Sequence, residues 1–125
     1  MQTLDQIEVA LLYEIDHYEL PNRTEMVGLV GTAWTFDRYI EEIRKMRECL
    51  VKPYWCSVRA GNPLASPNKD VPSVKTFAAV AKDDGSGYFL LYDPVAQTYA
   101  LGWADGEGQI STFMYGDAVS TFLAR

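Results

Sequence analysis

The second half of this chain is punctuated too closely to be anything but an antiparallel meander. Asp83-Asp84-Gly85-Ser86-Gly87, Asp93-Pro94 and Asp105-Gly106-Glu107-Gly108 are turn signals. They separate segments that read as strands: residues 74–81, 88–92, 97–103 and 109–114. A parallel return needs a crossover of about a dozen residues or more, and these connections are far shorter. Residues 54–58 alternate and add a strand upstream. Between that strand and the meander, residues 60–73 hold three prolines, Gly61 and two asparagines, and read as an exposed loop.

Helical spacing dominates the first half. Leu4, Ile7, Leu11, Ile15 and Tyr18 fall three and four apart and form one stripe of a helix over residues 3–18. Thr3 reads as its N-cap, and Asp5 suits the positive end of its dipole. Residues 9–12 are an apolar run that also reads as strand. Pro21 closes the segment. Residues 22–34 are either a short helix ended by Gly28 or Gly31, or a strand through residues 26–30. Thr35 caps the best helix in the chain, with Phe36, Ile40, Ile43, Met46 and Leu50 as its stripe. Glu41 and Lys45 stand four apart in the favourable order, and basic residues crowd its end. Gly116-Asp117 opens a short closing helix through Val119, Phe122 and Leu123. Helices first, then a meander, then a helix is an α+β order. The expectation is an antiparallel sheet of five or six strands with helices packed on it, N-terminal helices and a short C-terminal helix. At 125 residues the chain makes a single domain, 1–125.

Composition removes several function classes. Hydrophobic residues make up 48% and charged residues 22%, which excludes a disordered tail. The net charge is -6, from 17 acidic and 11 basic residues, and such a surface repels nucleic-acid phosphates and anionic lipid heads. The charge is uneven: residues 1–37 carry 7 acidic and 1 basic, residues 38–82 carry 4 and 9, and residues 83–125 carry 6 and 1. The acidic ends either pair with the basic middle or leave an acidic face for a basic partner. No apolar stretch approaches the ~18 residues of a membrane span. The opening, Met1-Gln2-Thr3-Leu4-Asp5-Gln6, has no basic run and no long apolar run, so no secretory signal is read. The expected address is cytoplasmic, with Cys49 and Cys56 as reduced thiols.

Candidate chemistry is sparse. His17 is the one histidine, so any Ser-His-Asp or Cys-His site would use it. A surface or half-buried structural role is the simpler reading. Cys49, Cys56 and His17 lack the spacing of a zinc site. The Asp83–Gly87 segment has neither the lysine of a P-loop nor the ligand spacing of an EF-hand, and reads as a hairpin turn. Asp105 and Glu107 are a carboxylate pair on a glycine-flanked turn, where they are solvated rather than poised for acid–base work. No catalytic residue, metal ligand or cofactor site is assigned. Tyr88, Tyr92, Tyr99 and Trp103 alternate along strands, preceded by Trp34, Tyr54 and Trp55. They are either core or an exposed protein-binding patch.

Leu4 to Tyr18, then Leu20-Pro21, then Asn22 to Gly31 resembles the start of the SMI1/KNR4 (SUKH) superfamily, with its helix, Leu-Pro and short glycine-closed helix. Trp34-Thr35-Phe36 to Leu50 is similar to the family's following turn and helix. Phe77-Ala78-Ala79-Val80-Ala81-Lys82-Asp83-Asp84-Gly85-Ser86-Gly87-Tyr88-Phe89-Leu90-Leu91-Tyr92-Asp93 resembles its strand–turn–strand core, and Ile110 to Leu123 its closing strand and helix. The resemblance implies a non-catalytic protein-binding module of the bacterial immunity type, which binds and neutralises a cognate toxin. A basic toxin would suit the acidic charge through electrostatic steering. Asp83, Asp84, Asp93, Asp105 and Glu107, all on predicted turns of the strand region, are the candidate partner-binding set. The alternative is a cone-like α+β protein, small-ligand-binding or enzymatic, with an apolar pocket and His17 and Asp16 as its first polar candidates.

Overall fold

The computed structural model describes residues 2–19, 35–59, 74–104 and 109–125. Residues 22–34, the loop expected at residues 60–73, and the turn residues Asp105 and Glu107 lie outside the described residues.

Helix α1 spans Leu4–Asp16. The Thr3 hydroxyl accepts from the Gln6 N–H at 3.2 Å, and the Gln6 side chain accepts from the Thr3 N–H at 2.9 Å. This reciprocal capping box fixes the helix start. Ile7, Leu11 and Ile15 are buried, with Leu4 and Tyr18 packed beside them, as the stripe requires. The apolar run at residues 9–12 is helical, so part of it points away from the core.

Helix α2 spans Phe36–Cys49, and the Thr35 hydroxyl accepts from the Arg38 N–H at 3.2 Å. Met46 is buried and Tyr39, Ile43 and Cys49 pack on the core, while Ile40 is half-exposed. The expected Glu41–Lys45 pair is replaced by tighter partners. Arg44 bridges Glu41 at 2.5 Å and also Glu48, and Lys45 meets Glu42 at 3.3 Å. The planar guanidinium reaches carboxylates on both sides along one face, which an ammonium does less well.

Strand β1, Leu50–Arg59, begins where α2 ends, four residues earlier than alternation suggests. Leu50, expected in the helical stripe, is the C-cap and the first strand residue. Pro53 is tolerated because the ladder to the next strand is irregular there: Leu50 pairs with Ala81 and the next pair is Tyr54 with Ala79. Its missing N–H therefore costs no ladder bond. Strands β2 (Val74–Asp83), β3 (Tyr88–Asp93), β4 (Thr98–Ala104) and β5 (Ile110–Gly116) follow, then helix α3, Ala118–Leu123. Asp117 caps α3 by accepting from the Ser120 N–H at 3.0 Å.

The architecture is α+β: five strands in chain order, antiparallel at each step, with helices on one face. The meander curls until β5 meets β1, closing a small barrel. Five is odd, so the closing pair has to be parallel. It consists of Val58 with Ile110 and Arg59 with Ser111.

The sheet is buried on both faces. On the helix side Ala78, Val80, Ala81, Leu90, Tyr92 and Tyr99 meet the α1 stripe, Met46 and the α3 residues Val119 and Phe122. On the inner side Val58, Phe77, Ala79, Phe89 and Leu91 fill the barrel, with Cys56 and Ile110 against them. A bulge between Ala79 and Ala81 turns Val80 and Ala81 both toward the helices. The two-sided burial explains why β2 and β3 read as nearly unbroken apolar runs.

The two hairpins of β2–β3 and β3–β4 share one design. Asp83 accepts the Gly85 N–H at 3.0 Å, and Asp93 accepts the Val95 N–H at 2.9 Å. The fifth residue then has positive φ, Gly87 at 79° and Gln97 at 55°, and closes the turn onto the Asp83 or Asp93 carbonyl.

Closure leaves little room inside. A Cβ on Gly102 would lie 2.6 Å from Leu91 Cδ1 and 2.8 Å from Ile110 Cγ2, both below real contact distances. Leu91 is fully buried and has nowhere to retreat. Gly102→Ala is therefore expected to cost about 1–3 kcal/mol by overpacking. A urea titration measures it, and an unchanged midpoint would mean that the barrel interior has slack.

Candidate protein-docking face

Helix α1 carries more apolar residues than one stripe can bury. Opposite Ile7, Leu11 and Ile15, the side chains of Val9 and Tyr13 stand four apart and are 67% and 64% exposed. Leu12 is exposed on the flank. Asp5 and Gln6 join Val9, Ala10 and Tyr13 around a shallow, largely apolar depression of about 510 Å³. Residues 4–19 hold Asp5, Glu8, Glu14, Asp16 and Glu19 and no lysine or arginine. Asp16 is bound to Arg47 of α2 at 2.5 Å. The remaining outward carboxylates have no ion pair among the described residues. His17 sits at the helix end, exposed, its Nδ1 2.8 Å from the Tyr13 carbonyl and its ring stacked on Tyr13 at 3.9 Å. It orders the Tyr13 ring rather than facing a cavity.

Beside this face, between α1 and the β3–β4 turn, lies a cleft of about 500 Å³. Glu14, Tyr92, Gln97, Tyr99 and Asp117 line it. Glu14 accepts from the Ala118 N–H at 3.3 Å. Burial raises its pKa above the usual carboxylate value, with Asp117 adding repulsion and the Ala118 bond opposing. Tyr92 and Tyr99 pack with ring centroids 4.9 Å apart. Burial, and then the Glu14 charge, push the Tyr99 phenol well above its ordinary pKa.

The turn carboxylates expected to bind a partner have different fates. Asp83 accepts from Arg125 Nε at 2.6 Å, and from Gly85 and Ser86 within its own turn. Asp93 is buried and accepts the Val95 and Ala96 N–H groups, at the opposite end of β3. Asp84 is open to solvent, with Lys82 Nζ at 3.7 Å. Asp105 and Glu107 lie outside the described residues. Successive turns of a meander fall at alternate ends of the sheet, so Asp93 does not join Asp83 and Asp84 in one patch. The α1 face was missed as a site, although its signal, the surplus apolar run at residues 9–12 among acids, is present in the sequence.

The aromatics divide. Tyr92 and Tyr99 are core, and Tyr88 meets Phe113 edge-on at 5.5 Å. Trp103 and Tyr115 are half-exposed, but register separates them. Trp103 pairs with Ser111 on the Phe113 side, and Tyr115 lies with Thr112, whose hydroxyl is 2.6 Å from its own. Trp34 lies outside the described residues. Burial raises the pKa of both Cys49 and Cys56, so neither is an activated thiol. Among the described residues no group of His, Cys, Asp or Glu is placed to hold a metal ion, and no helix is long and apolar enough to cross a membrane. No family model, no curated protein and no solved structure matches the chain.

Arg125 is the residue that holds the Asp83 corner together. Besides Asp83, its Nη1 donates to Glu42 at 3.4 Å and to the Phe122 carbonyl at 3.2 Å, and its guanidinium lies 3.9 Å over the Phe122 ring. The side chain is only 11% exposed. Removing it leaves two carboxylates facing each other in a half-dry corner, so Arg125→Ala is expected to cost about 2–4 kcal/mol. The Arg125 hydrogen bond is the main cause that holds Asp83 below its ordinary pKa. A depressed carboxylate stabilises the fold above its unfolded pKa and loses that stabilisation as pH falls through the folded value. The stability gap between wild type and Arg125→Ala should therefore narrow from about pH 5 downward. Thermal melts across pH check this, and a gap independent of pH would assign the loss to packing alone.

Proposed function

We propose that this chain is a non-catalytic protein-binding module that docks a basic protein on the outward face of α1. We further propose that it is of the immunity type, binding and neutralising a cognate toxin. The observation that carries the reading is the pair Val9 and Tyr13, two large apolar side chains left in water on one helix face, with Asp5 lining the same depression. Scattered apolar residues on a surface need no explanation, but an aromatic and an aliphatic anchor in register on one helix are the form a protein hot spot takes. The charge selects the partner. A second copy of this chain would bring the same acids against themselves, whereas a basic surface is steered in and held. The chain-order resemblance to immunity proteins supports the finer reading, and basic toxins such as nucleases fit the same charge.

The experiment compares wild type with Val9→Glu and Tyr13→Ala, tagged and used to capture proteins from the source organism at low and moderate salt. One basic protein is expected in stoichiometric yield with wild type, reduced by salt and absent with Val9→Glu. With that partner purified, Tyr13→Ala should weaken binding by roughly tenfold or more. Both substitutions are on an exposed face, so melting temperatures should stay near wild type. An identical capture profile for all three proteins would remove the α1 face, and a captured partner without toxic activity would remove the immunity reading.

A further inference from the structure

The cleft beside α1 has a donor deficit. Its walls present the Glu14 carboxylate, the Asp117 carboxylate and the Tyr99 hydroxyl beside Gln97 and Thr98, whose hydroxyl is spent on the Gly116 carbonyl at 3.1 Å, and no lysine or arginine lines it. Asp117 is engaged by the Ser120 N–H, and the Tyr92 hydroxyl donates to Gln2 Oε1 at 2.5 Å. Glu14 has one long bond, to the Ala118 N–H. Tyr99 is the unusual member. Its ring is buried, with the residue only 6% exposed, while its hydroxyl has no hydrogen-bond partner among the described residues and opens onto the cleft. A phenol held rigid by burial, with its oxygen free at the wall, is placed to bond an incoming group. Gln97, which closes the β3–β4 turn onto the Asp93 carbonyl, holds the far wall.

We propose that this cleft is the receptor for a guanidinium group, the side chain of an arginine that the docked partner inserts between Glu14 and Tyr99. The inference rests on the protein-docking reading and adds to it a specific anchor. A guanidinium is planar and has five N–H donors and no acceptor, which is the complement of a wall made of carboxylates and a phenol oxygen. It would donate to Glu14 and to the Tyr99 oxygen, and its face would lie against the tyrosine pair. It would also relieve the repulsion between Glu14 and Asp117 that the free protein bears. Ala10 lines both the cleft and the α1 depression, so one partner can fill both.

The test uses the intact protein and a probe, N-acetyl-arginine methylamide, with the citrulline analogue as its uncharged match. Binding is followed at neutral pH by amide NMR, read at Ala118, whose N–H donates to Glu14, and at Gly116. The arginine probe is expected to shift both resonances saturably, with an affinity on the order of millimolar. The citrulline probe should not. Glu14→Gln, which keeps the acceptor for Ala118, should weaken the arginine probe roughly tenfold or more. Tyr99→Phe, which removes a hydroxyl that has no partner among the described residues, should weaken it while leaving the melting temperature near wild type. Equal responses to the two probes, no saturable shift at concentrations on the order of tens of millimolar, or full binding by Glu14→Gln would each overturn the proposal. Val9→Glu separates it from the docking reading: that variant should bind the arginine probe as wild type does, even where it has lost the protein partner.

Discussion

Small side chains in the sheet set the distances on which the rest of the molecule depends. Ala78 and Ala81 on one side and Ala79 and Gly102 on the other let α1, α2 and α3 approach one face while Phe77, Phe89 and Leu91 fill the other. A sheet with larger residues at these positions could be covered on one face or curled, but not both at these separations. Because the helix face of the sheet is already shared among three helices, α1 contributes only its single stripe of Ile7, Leu11 and Ile15. Val9, Leu12 and Tyr13 have no surface left to bury against. The apolar face proposed for docking is thus a consequence of how the core is shared.

Much of this was legible from local signals. The N-caps Thr3 and Thr35 are where the sequence puts them, and the last helix opens at Gly116-Asp117 as read, because a cap is a contact over three residues. The turns at Asp83 and Asp93 are likewise local, and the strands between them follow. Barrel closure was not legible. It rests on two parallel pairs between residues more than fifty apart, and nothing in the neighbourhood of Val58 or Ile110 announces a partner. The Arg125 corner is invisible for the same reason, since its partners Asp83 and Glu42 are distant in sequence.

The candidate partner-binding acids illustrate a subtler failure of local reading. Asp93 was singled out because Asp-Pro marks a turn, and a turn is exposed. Yet aspartate is favoured at that position because its carboxylate accepts the turn's own amides. Asp93 is accordingly buried and occupied by Val95 and Ala96, and Asp83 is occupied by Gly85, Ser86 and Arg125. The signal that identifies such a residue also predicts that it is already in use. Asp84, which has no role in either turn's hydrogen bonding, stays open to solvent, with Lys82 Nζ at 3.7 Å.

The same distinction bears on the charge asymmetry between the acidic ends and the basic middle of the chain. If the middle neutralised the ends, its cations would bond to α1 and to the hairpin acids. Among the described residues, Arg44 and Lys45 are taken up by Glu41, Glu48 and Glu42 of their own helix, Arg47 crosses to α1 at Asp16, and Lys82 meets Asp84 across 3.7 Å. Helix dipole and helix spacing favour these short-range pairs over longer ones. Among the described residues only Asp16 of the α1 carboxylates is in an ion pair, and the partly dry Glu14 at the helix edge is where the acidity weighs most on the fold. A helix that keeps four carboxylates, excludes every lysine and arginine, and exposes a valine and a tyrosine between them is poorly suited to packing within its own domain. It is well suited to meeting a surface of opposite charge.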